Sequence, residues 1–578
     1  MTPSQQHAIQ CPDSDILCVA GAGSGKTAVL TSRVARVIAE GADPKSLMVL
    51  TFTKKAAGEM KARIAAATGD PDAMNGAMMG TFHSVCLKIL QAYGDRIGYD
   101  GNTLGVIEPD DADALLEQCA RDLGLFRSGK WGKGLSGKAV RKALEACYSS
   151  GVDAADDDAG RIIRAYWHEL RQLNLLDFGL ILRLANQLFR DHPDVLAMYR
   201  ERVKFVFVDE LQDSDAVQFT LHDWFAGTAA FFGVGDVRQT IYLFRGACPH
   251  LMRERHPNAT VIELAENFRS GARIVDAANR LIACGPDRVA PMVAAKDGGY
   301  IEAMPGRTDD IVRRVGMAVG AFGPGNCAVI ARSHRTLRRI EGRMRDQGVP
   351  CYRVGQRWDI TDAPEFKTLH RAMRLVVNPR DQLAFMLLLD QFGMTTGDYA
   401  KCRMAAAQSG RPILEEASGW GGPLINRIEF LADVGELTAG VAVRELAMQL
   451  GSSNSVVDFW SPVADLPLKG ALDWYGTRDR DAENEDAPKD KVTLLTAHSA
   501  KGLEWKFVMV AECNEASFPS SSAIREGTID DERRVMYVAM TRAKDVLVCH
   551  YRQPEDQAEE RTISEPSRFL FEAGLLTK

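Results

Sequence analysis

The run Gly21-Ala22-Gly23-Ser24-Gly25-Lys26-Thr27 directly follows the apolar stretch Ile16 to Ala20, and no other segment restricts the possible folds so tightly. It calls for a buried strand that turns through a glycine-rich loop into a helix. In such a loop the glycines let successive backbone N–H groups face phosphate oxygens. The helix beginning near Lys26 adds the positive end of its dipole, and Lys26 adds a full charge. Thr27 would hold magnesium through its hydroxyl. Val29, Val34, Val37 and Ile38 recur at helical spacing. The bland alternative is a structural glycine turn; the sharper one is a nucleotide hydrolase.

Phe205-Val206-Phe207-Val208-Asp209-Glu210 has the pattern of a fully buried parallel strand ending in two carboxylates. Ligands bind at the carboxyl ends of strands in open α/β sheets. There, Asp209 can reach the magnesium and Glu210 can orient or deprotonate the attacking water. The alternative is a pair of solvated acids at the mouth of a turn.

A chain of 578 residues with 46% hydrophobic composition can bury several cores, so several domains are expected. No apolar run reaches the roughly 18 residues needed to span a bilayer, and the N-terminus lacks the pattern of a signal peptide. The expected compartment is the cytoplasm, with no membrane partner. Twelve cysteines occur without a C-x-x-C pair, so no cysteine-based zinc or iron–sulfur framework is indicated. The net charge of −7 does not advertise a nucleic-acid binder. Locally, however, Arg127, Lys130, Lys133, Lys138, Arg141 and Lys142 form a basic stretch around Trp131, suited either to tracking phosphates or to a solvated helical face.

Buried-strand candidates at Ile16–Ala20, Leu47–Phe52, Phe205–Asp209, Phe231–Gly235 and Thr260–Leu264 suit one parallel sheet. A second set lies at Tyr300–Met304, Cys327–Ala331, Val492–Thr496, Phe507–Ala511 and Val546–His550. Each set is interrupted by a long helix-like stretch. The expected organisation is a first α/β core over 1–87 and 175–272 with a helical insertion at 88–174. A second core follows over 273–379 and 488–578, with a reduced insertion at 380–487 that ends in the linker-like charged run Asp479 to Asp490. A nucleotide would sit in the cleft between the cores. Arg269 and Arg542 are candidates to neutralise the transferring phosphoryl group, although each alone also suits a surface ion pair.

The ordered motifs resemble those of the superfamily 1 DNA helicases of the UvrD/Rep/PcrA group. Thr2-Pro3-Ser4-Gln5, Thr51-Phe52-Thr53-Lys54-Lys55-Ala56-Ala57 and Gly80-Thr81-Phe82-His83-Ser84 are similar to family segments, as is Leu176-Asp177-Phe178. So are Asp209-Glu210-Leu211-Gln212-Asp213, Val234 to Ala247, Thr496 to Glu504 and Glu532 to Ala543. The resemblance implies two RecA-like P-loop cores and an ATP- and Mg2+-dependent motor that moves 3′ to 5′ on single-stranded DNA and opens duplexes at single/double-strand junctions. Activation by a protein partner or by self-association is compatible with it. By the resemblance, Gln5, Gly21 to Thr27, Phe268 and Glu504 hold the nucleotide. Lys26, Asp209, Glu210, Gln239, Arg269 and Arg542 carry hydrolysis, with Thr27 and Asp209 on the metal. Phe52, Thr53, Phe82, His83, Tyr242, Phe244, Arg245 and His498 contact DNA, with Phe52 also readable as an ordinary core residue.

Departures from the family pattern are Ala28 in place of an arginine near adenine, Phe268 in place of tyrosine, Phe244 in place of tryptophan, and Val237-Arg238 in place of an acidic pair. Two other readings remain open at this stage. One is a single-stranded DNA translocase that displaces proteins without processive unwinding. The other is a nucleotide-gated regulatory protein that binds DNA or a polymerase.

Overall fold

Leu47 to Thr51 is buried at every position, which explains why its sequence is a continuous apolar run rather than an alternating one: a parallel strand is covered on both faces. The computed structural model describes residues 1–578 except 13, 128, 133, 288, 356–359, 419–421, 435–436, 478–487, 554–564 and 578. Most of the charged run expected as a linker, 479–487, therefore lies outside the described residues.

The first sheet contains β1 (Asp15–Ala20), β2 (Leu47–Thr51), β3 (Met78–Thr81), β4 (Phe205–Val208), β5 (Ala230–Gly235) and β6 (Thr260–Leu264). Its spatial order is β6-β1-β5-β4-β2-β3, and every pair is parallel. The second contains β7 (Tyr300–Pro305), β8 (Cys327–Ala331), β9 (Cys351–Arg353), β10 (Val492–Thr496), β11 (Trp505–Ala511) and β12 (Ala543–Tyr551). Its order is β7-β12-β11-β8-β10-β9, again all parallel. The chain thus carries two RecA-like α/β cores. All ten expected strands are present. The two that the sequence reading lacks, β3 and β9, are the short strands at one edge of each sheet, where a strand needs little apolar burial.

By packing, the chain divides into two units. One comprises Met1–Thr81, Arg200–Gln356 and Asp479–Lys578, and so holds both sheets; the other comprises Phe82–Tyr199 and Arg357–Arg478. Residues 82–87 and 175–199, expected in the first core, and 357–379, expected in the second, fall in the helical unit. Its helices include Pro109–Asp122, Gly137–Ser150, Asp158–Gln172 and Pro364–Val377. Within it, Asp177 caps the helix Phe178–Asp191 through Leu180 N–H at 2.8 Å and accepts the hydroxyls of Tyr148 (2.6 Å) and Tyr166 (2.7 Å). In the basic stretch, Lys130-Trp131 pairs with Phe126-Arg127 in a two-stranded ribbon, and Arg141 forms an ion pair with Asp113; Lys133 lies outside the described residues.

Candidate nucleotide site

The phosphate loop leaves β1 and enters the helix Lys26–Ala39. Gly23 sits at φ +68°, and a Cβ there would lie 2.7 Å from Arg269 Cβ, so both the backbone conformation and the close neighbour require glycine. That neighbour belongs to a strap that follows β6. Asn267 Nδ2 donates to the Ala22 carbonyl at 2.7 Å, and Phe268 N–H donates to the Gly23 carbonyl at 2.9 Å. Asn267 Oδ1 in turn accepts the N–H groups of Arg269 (2.9 Å) and Ser270 (2.8 Å). The loop and Arg269 are therefore fixed to one another. Phe268 keeps 38% of its surface exposed beside the loop. Gln5 is buried, with Nε2 donating to the Ser24 carbonyl and Oε1 accepting Thr2 N–H, both at 2.9 Å.

Strand β5 separates β1 from β4, yet the end of β4 reaches the loop. Thr27 Oγ1 donates to Asp209 Oδ2 at 3.2 Å, and Lys26 Nζ donates to Glu210 Oε2 at 3.2 Å. Glu210 takes φ +52°, an uncommon backbone state for a residue with a side chain, of the kind that clusters at functional sites. Gln212 Nε2 donates to Glu210 Oε2 at 2.6 Å, and its Oε1 accepts Asp236 N–H at 2.9 Å. Burial and the adjacent Glu210 charge raise the Asp209 carboxyl. Burial also acts to raise Glu210, but Lys26, Lys501 and Gln212 outweigh it and hold that carboxyl low. The pair is thus split into a protected anion at Glu210 and a buried carboxylate at Asp209 that a cation would relieve. The Thr27 hydroxyl and Asp209 carboxylate offer adjacent hard oxygen donors, a set that fits magnesium.

The second core supplies three contacts. Lys501 Nζ makes a short ion pair with Asp213, donates to the Gln239 carbonyl at 2.8 Å and lies 3.9 Å from Glu210. Arg542 Nη2 donates to Gln239 Oε1 at 3.2 Å, while Gln239 Nε2 donates to Asp236 Oδ2 at 2.8 Å. Arg269 Nε bonds Glu504 at 2.7 Å, and Lys544 Nζ lies 2.6 Å from the same carboxylate. Arg542 is 1% exposed, and its other bonds go to the neutral oxygens of Val538, Leu503 and Thr541. Burial, with Arg269 nearby, presses Arg542 below its ordinary value. A buried guanidinium with only neutral partners is a site prepared for an anion.

Arg238, which departs from the family pattern, is paired inside the core. It is 3% exposed, with Nε 2.8 Å from Asp236 Oδ1 and Nη1 donating to the Ala290 carbonyl at 2.9 Å. It neutralises Asp236 within the core, where the acidic residues of the family pattern would repel that carboxylate. Sequence spacing does not single out Asp213, Asp236 or Lys501, although each lies inside a quoted motif, nor Asn267, which lies two residues before Arg269.

The DNA candidates divide. Phe244 is 71% exposed, and His498 packs edge-on against it with ring centres 5.7 Å apart. Arg245 lies 5.8 Å and Lys501 5.6 Å from the centre of the Tyr242 ring. Burial, Arg332 and Lys501 lower His498 to about 4, so it is neutral near pH 7. Thr53 caps the helix Lys54–Thr68 through Ala56 N–H at 3.0 Å, beside half-buried Phe52. Phe82 departs from expectation. At 2% exposure, on the inward face of the helix Phe82–Tyr93, its ring is not presented to a base. Its neighbour His83 stacks on Phe178 at 3.6 Å. Both residues belong to the helical unit.

A phosphate loop on one parallel sheet, facing Lys501 and Arg542 from a second, defines the class of tandem-core P-loop proteins. Residues 1–259 match the UvrD/REP helicase N-terminal domain, and residues 262–409 and 477–553 match the UvrD-like helicase C-terminal domain. The chain belongs to the UvrD/REP helicase family. Similar proteins include the ATP-dependent DNA helicase Rep of Escherichia coli, 27% identical over an alignment covering 99% of this chain and 94% of the relative. The ATP-dependent DNA helicases PcrA of Staphylococcus epidermidis (27%) and Staphylococcus aureus (28%) align over 99% of this chain and 86% of their own lengths.

Proposed function

We propose that this chain is an ATP-dependent DNA helicase that moves 3′ to 5′ on single-stranded DNA and separates strands at single/double-strand junctions. Arg542 carries this reading: a buried guanidinium from the second core that bonds Gln239 of the first and has no carboxylate partner among the described residues. No helix among the described residues is long and apolar enough to cross a membrane.

ATP would lie on the Gly21 to Thr27 loop with its base against Phe268. Lys26, now paired with Glu210, would turn to the phosphates. This leaves Glu210 ionised, oriented by Gln212 and ready to position a water and accept its proton. Magnesium held by Thr27 and Asp209 would neutralise phosphate charge. Arg269 and Arg542 would stabilise charge on the transferring group, Arg269 exchanging its Glu504 partner for phosphate. The buried Gln5 amide steadies the loop through the Ser24 carbonyl, and reading a base would require its Oε1 to exchange the Thr2 N–H for the adenine edge.

Gln239 joins the nucleotide to the DNA side. It bonds Arg542 and Asp236, and three residues further on begin Tyr242, Phe244 and Arg245. With Phe52, Thr53, His83 and His498, these are the residues assigned to DNA. Stacking contributes about 1–3 kcal/mol per base, comparable with a mean of about 1.4 kcal/mol per DNA stacking step. Capture of one base can therefore offset opening of one step, and hydrolysis then sets the direction.

Strand displacement on duplexes with 3′ or 5′ tails tests this reading. Opening of 3′-tailed substrates alone, dependent on ATP and Mg2+, is expected. Opening of 5′-tailed substrates alone overturns the polarity, and DNA-stimulated hydrolysis without strand separation points instead to a translocase, or to a need for a partner or second copy.

A further inference from the structure

At the amino ends of the strands of the first sheet, opposite the end that carries the phosphate loop, the helix Ala216–Asp223 ends in His222-Asp223, and the chain entering β6 carries Arg255-His256. The His222 side chain is completely buried, and neither of its ring nitrogens has a hydrogen-bond partner; His256 Nε2 is also buried and unpartnered. Buried polar atoms are almost always satisfied, so three orphans at one place point to a missing partner.

The donors converge. His222 and His256 stack with ring centres 5.3 Å apart, and His256 stacks on Phe231 at 3.9 Å. Asp223 Oδ1 lies 3.4 Å from His222 Nδ1, without the alignment of a hydrogen bond, while Arg255 Nη1 donates to Asp223 Oδ2 at 3.0 Å. One ligand atom from each of His222, Asp223 and His256 lies within 4.8 Å of the others, the only such group among the described residues.

We propose that His222, Asp223 and His256 bind one divalent transition-metal ion of the zinc class, as a clamp between the helix Ala216–Asp223 and the chain entering β6. Two imidazoles and a carboxylate form a nitrogen/oxygen set that suits such an ion, with a fourth position left for water. Arg255 would hold the second Asp223 oxygen, the kind of outer partner that orients a ligating carboxylate. Metal–ligand bonds of about 2.0–2.2 Å require the donors to draw closer, so binding would have to rotate the half-buried Asp223 and His256 side chains toward His222.

The role is structural. Phe231 lies at the start of β5 and Gly235 at its end, beside Asp236, so a rise of about 3.3 Å per residue places the clamp roughly 13 Å from the nucleotide edge. The ion would join the segment that follows Asp213 to the one that leads to Asn267 and Arg269.

The test uses the full chain without a histidine tag, stripped with a chelator and titrated with Zn2+ against a chromophoric competitor, then with Co2+. Expected are one equivalent bound, visible Co2+ absorption of a four-coordinate site, and a thermal midpoint that rises with Zn2+ and returns with chelator. His256→Gln and Asp223→Asn should each weaken Zn2+ binding at least tenfold, while the stripped protein keeps its Mg2+-dependent ATP turnover. The proposal is overturned if no Zn2+ binds at micromolar concentration, if the midpoint does not respond to Zn2+, or if both variants bind Zn2+ as the parent does. In those cases the two rings are a stacked pair with trapped water.

Discussion

Lys501 is the residue through which the second core reaches the carboxylates of the candidate site: it contacts Asp213 and the Gln239 carbonyl and lies near Glu210. Lys501→Met leaves Asp213 as a buried charge without its partner, a change of about 3–5 kcal/mol in comparable pairs. The expected outcome is a clear fall in thermal midpoint together with at least tenfold slower ATP turnover. The double variant Lys501→Met/Asp213→Leu should recover the midpoint but not the turnover. Recovery of both would make the pair a structural bridge only. Asp215, which caps the helix Ala216–Asp223 through Gln218 N–H at 2.7 Å, is pushed up to about 7 by burial. Because its folded value lies above its unfolded one, the folded state binds the extra proton between them. Its contribution is therefore complete below about pH 4 and is lost as the pH rises through 7. Asp215→Asn, which retains a capping oxygen, should flatten the decline in thermal midpoint between pH 5 and pH 8; an unchanged slope would place that decline elsewhere.

At the scale of elements, the segment from Asp236 to Arg245 carries Gln239, bonded to Arg542, at one end and Phe244, exposed, at the other, and in the proposed function it would act as a short lever. Phe244→Ala should weaken single-stranded DNA binding by about 1–3 kcal/mol and reduce DNA-stimulated hydrolysis, while hydrolysis without DNA stays within twofold. Filter binding and steady-state ATPase assays read both quantities, and unchanged DNA affinity would remove the stacking role. Gly23→Ala, which needs φ +68° and meets Arg269 Cβ at 2.7 Å, should sharply reduce nucleotide binding, measured with a fluorescent ATP analogue. These elements also mark what the sequence makes legible. Strands such as Leu47–Thr51 are continuous apolar runs, and a glycine-rich turn specifies its own backbone, so both sheets and the loop can be read directly. The short β3 and β9 bury too little to leave a pattern. Phe82 illustrates a different limit: a motif fixes the position of an aromatic residue but not which helix face it occupies. Lys501 finds Asp213 and the Gln239 carbonyl only across long sequence separations, which spacing cannot reveal, and Arg238 pairs with Asp236 two residues away through a turn whose geometry no periodicity encodes.

For the molecule as a whole, the unit that contains both sheets holds the proposed nucleotide site in two halves. One half, the loop with Asp209 and Glu210, is rigid by construction: Asn267, Phe268 and Gln5 bond to loop carbonyls. The other half meets it through side chains that phosphate can compete for, with Arg269 on Glu504, Lys26 on Glu210 and Arg542 on Gln239. In the proposed function, exchange of these partners would link ATP arrival and departure to relative motion of the cores. Since released counterions make phosphate-tracking affinity salt-dependent, DNA-stimulated ATPase should fall steeply between 50 and 200 mM salt, with basal turnover changing little. A flat response would argue against backbone tracking. The central claim, that the second core completes the hydrolytic site, is tested most directly by single-turnover ATP hydrolysis on Arg542→Ala, with ATP binding and circular dichroism measured on the same sample. The account predicts a folded protein that binds ATP within a few fold of the parent and hydrolyses it about 10³–10⁵ times more slowly; hydrolysis at the parental rate would contradict it.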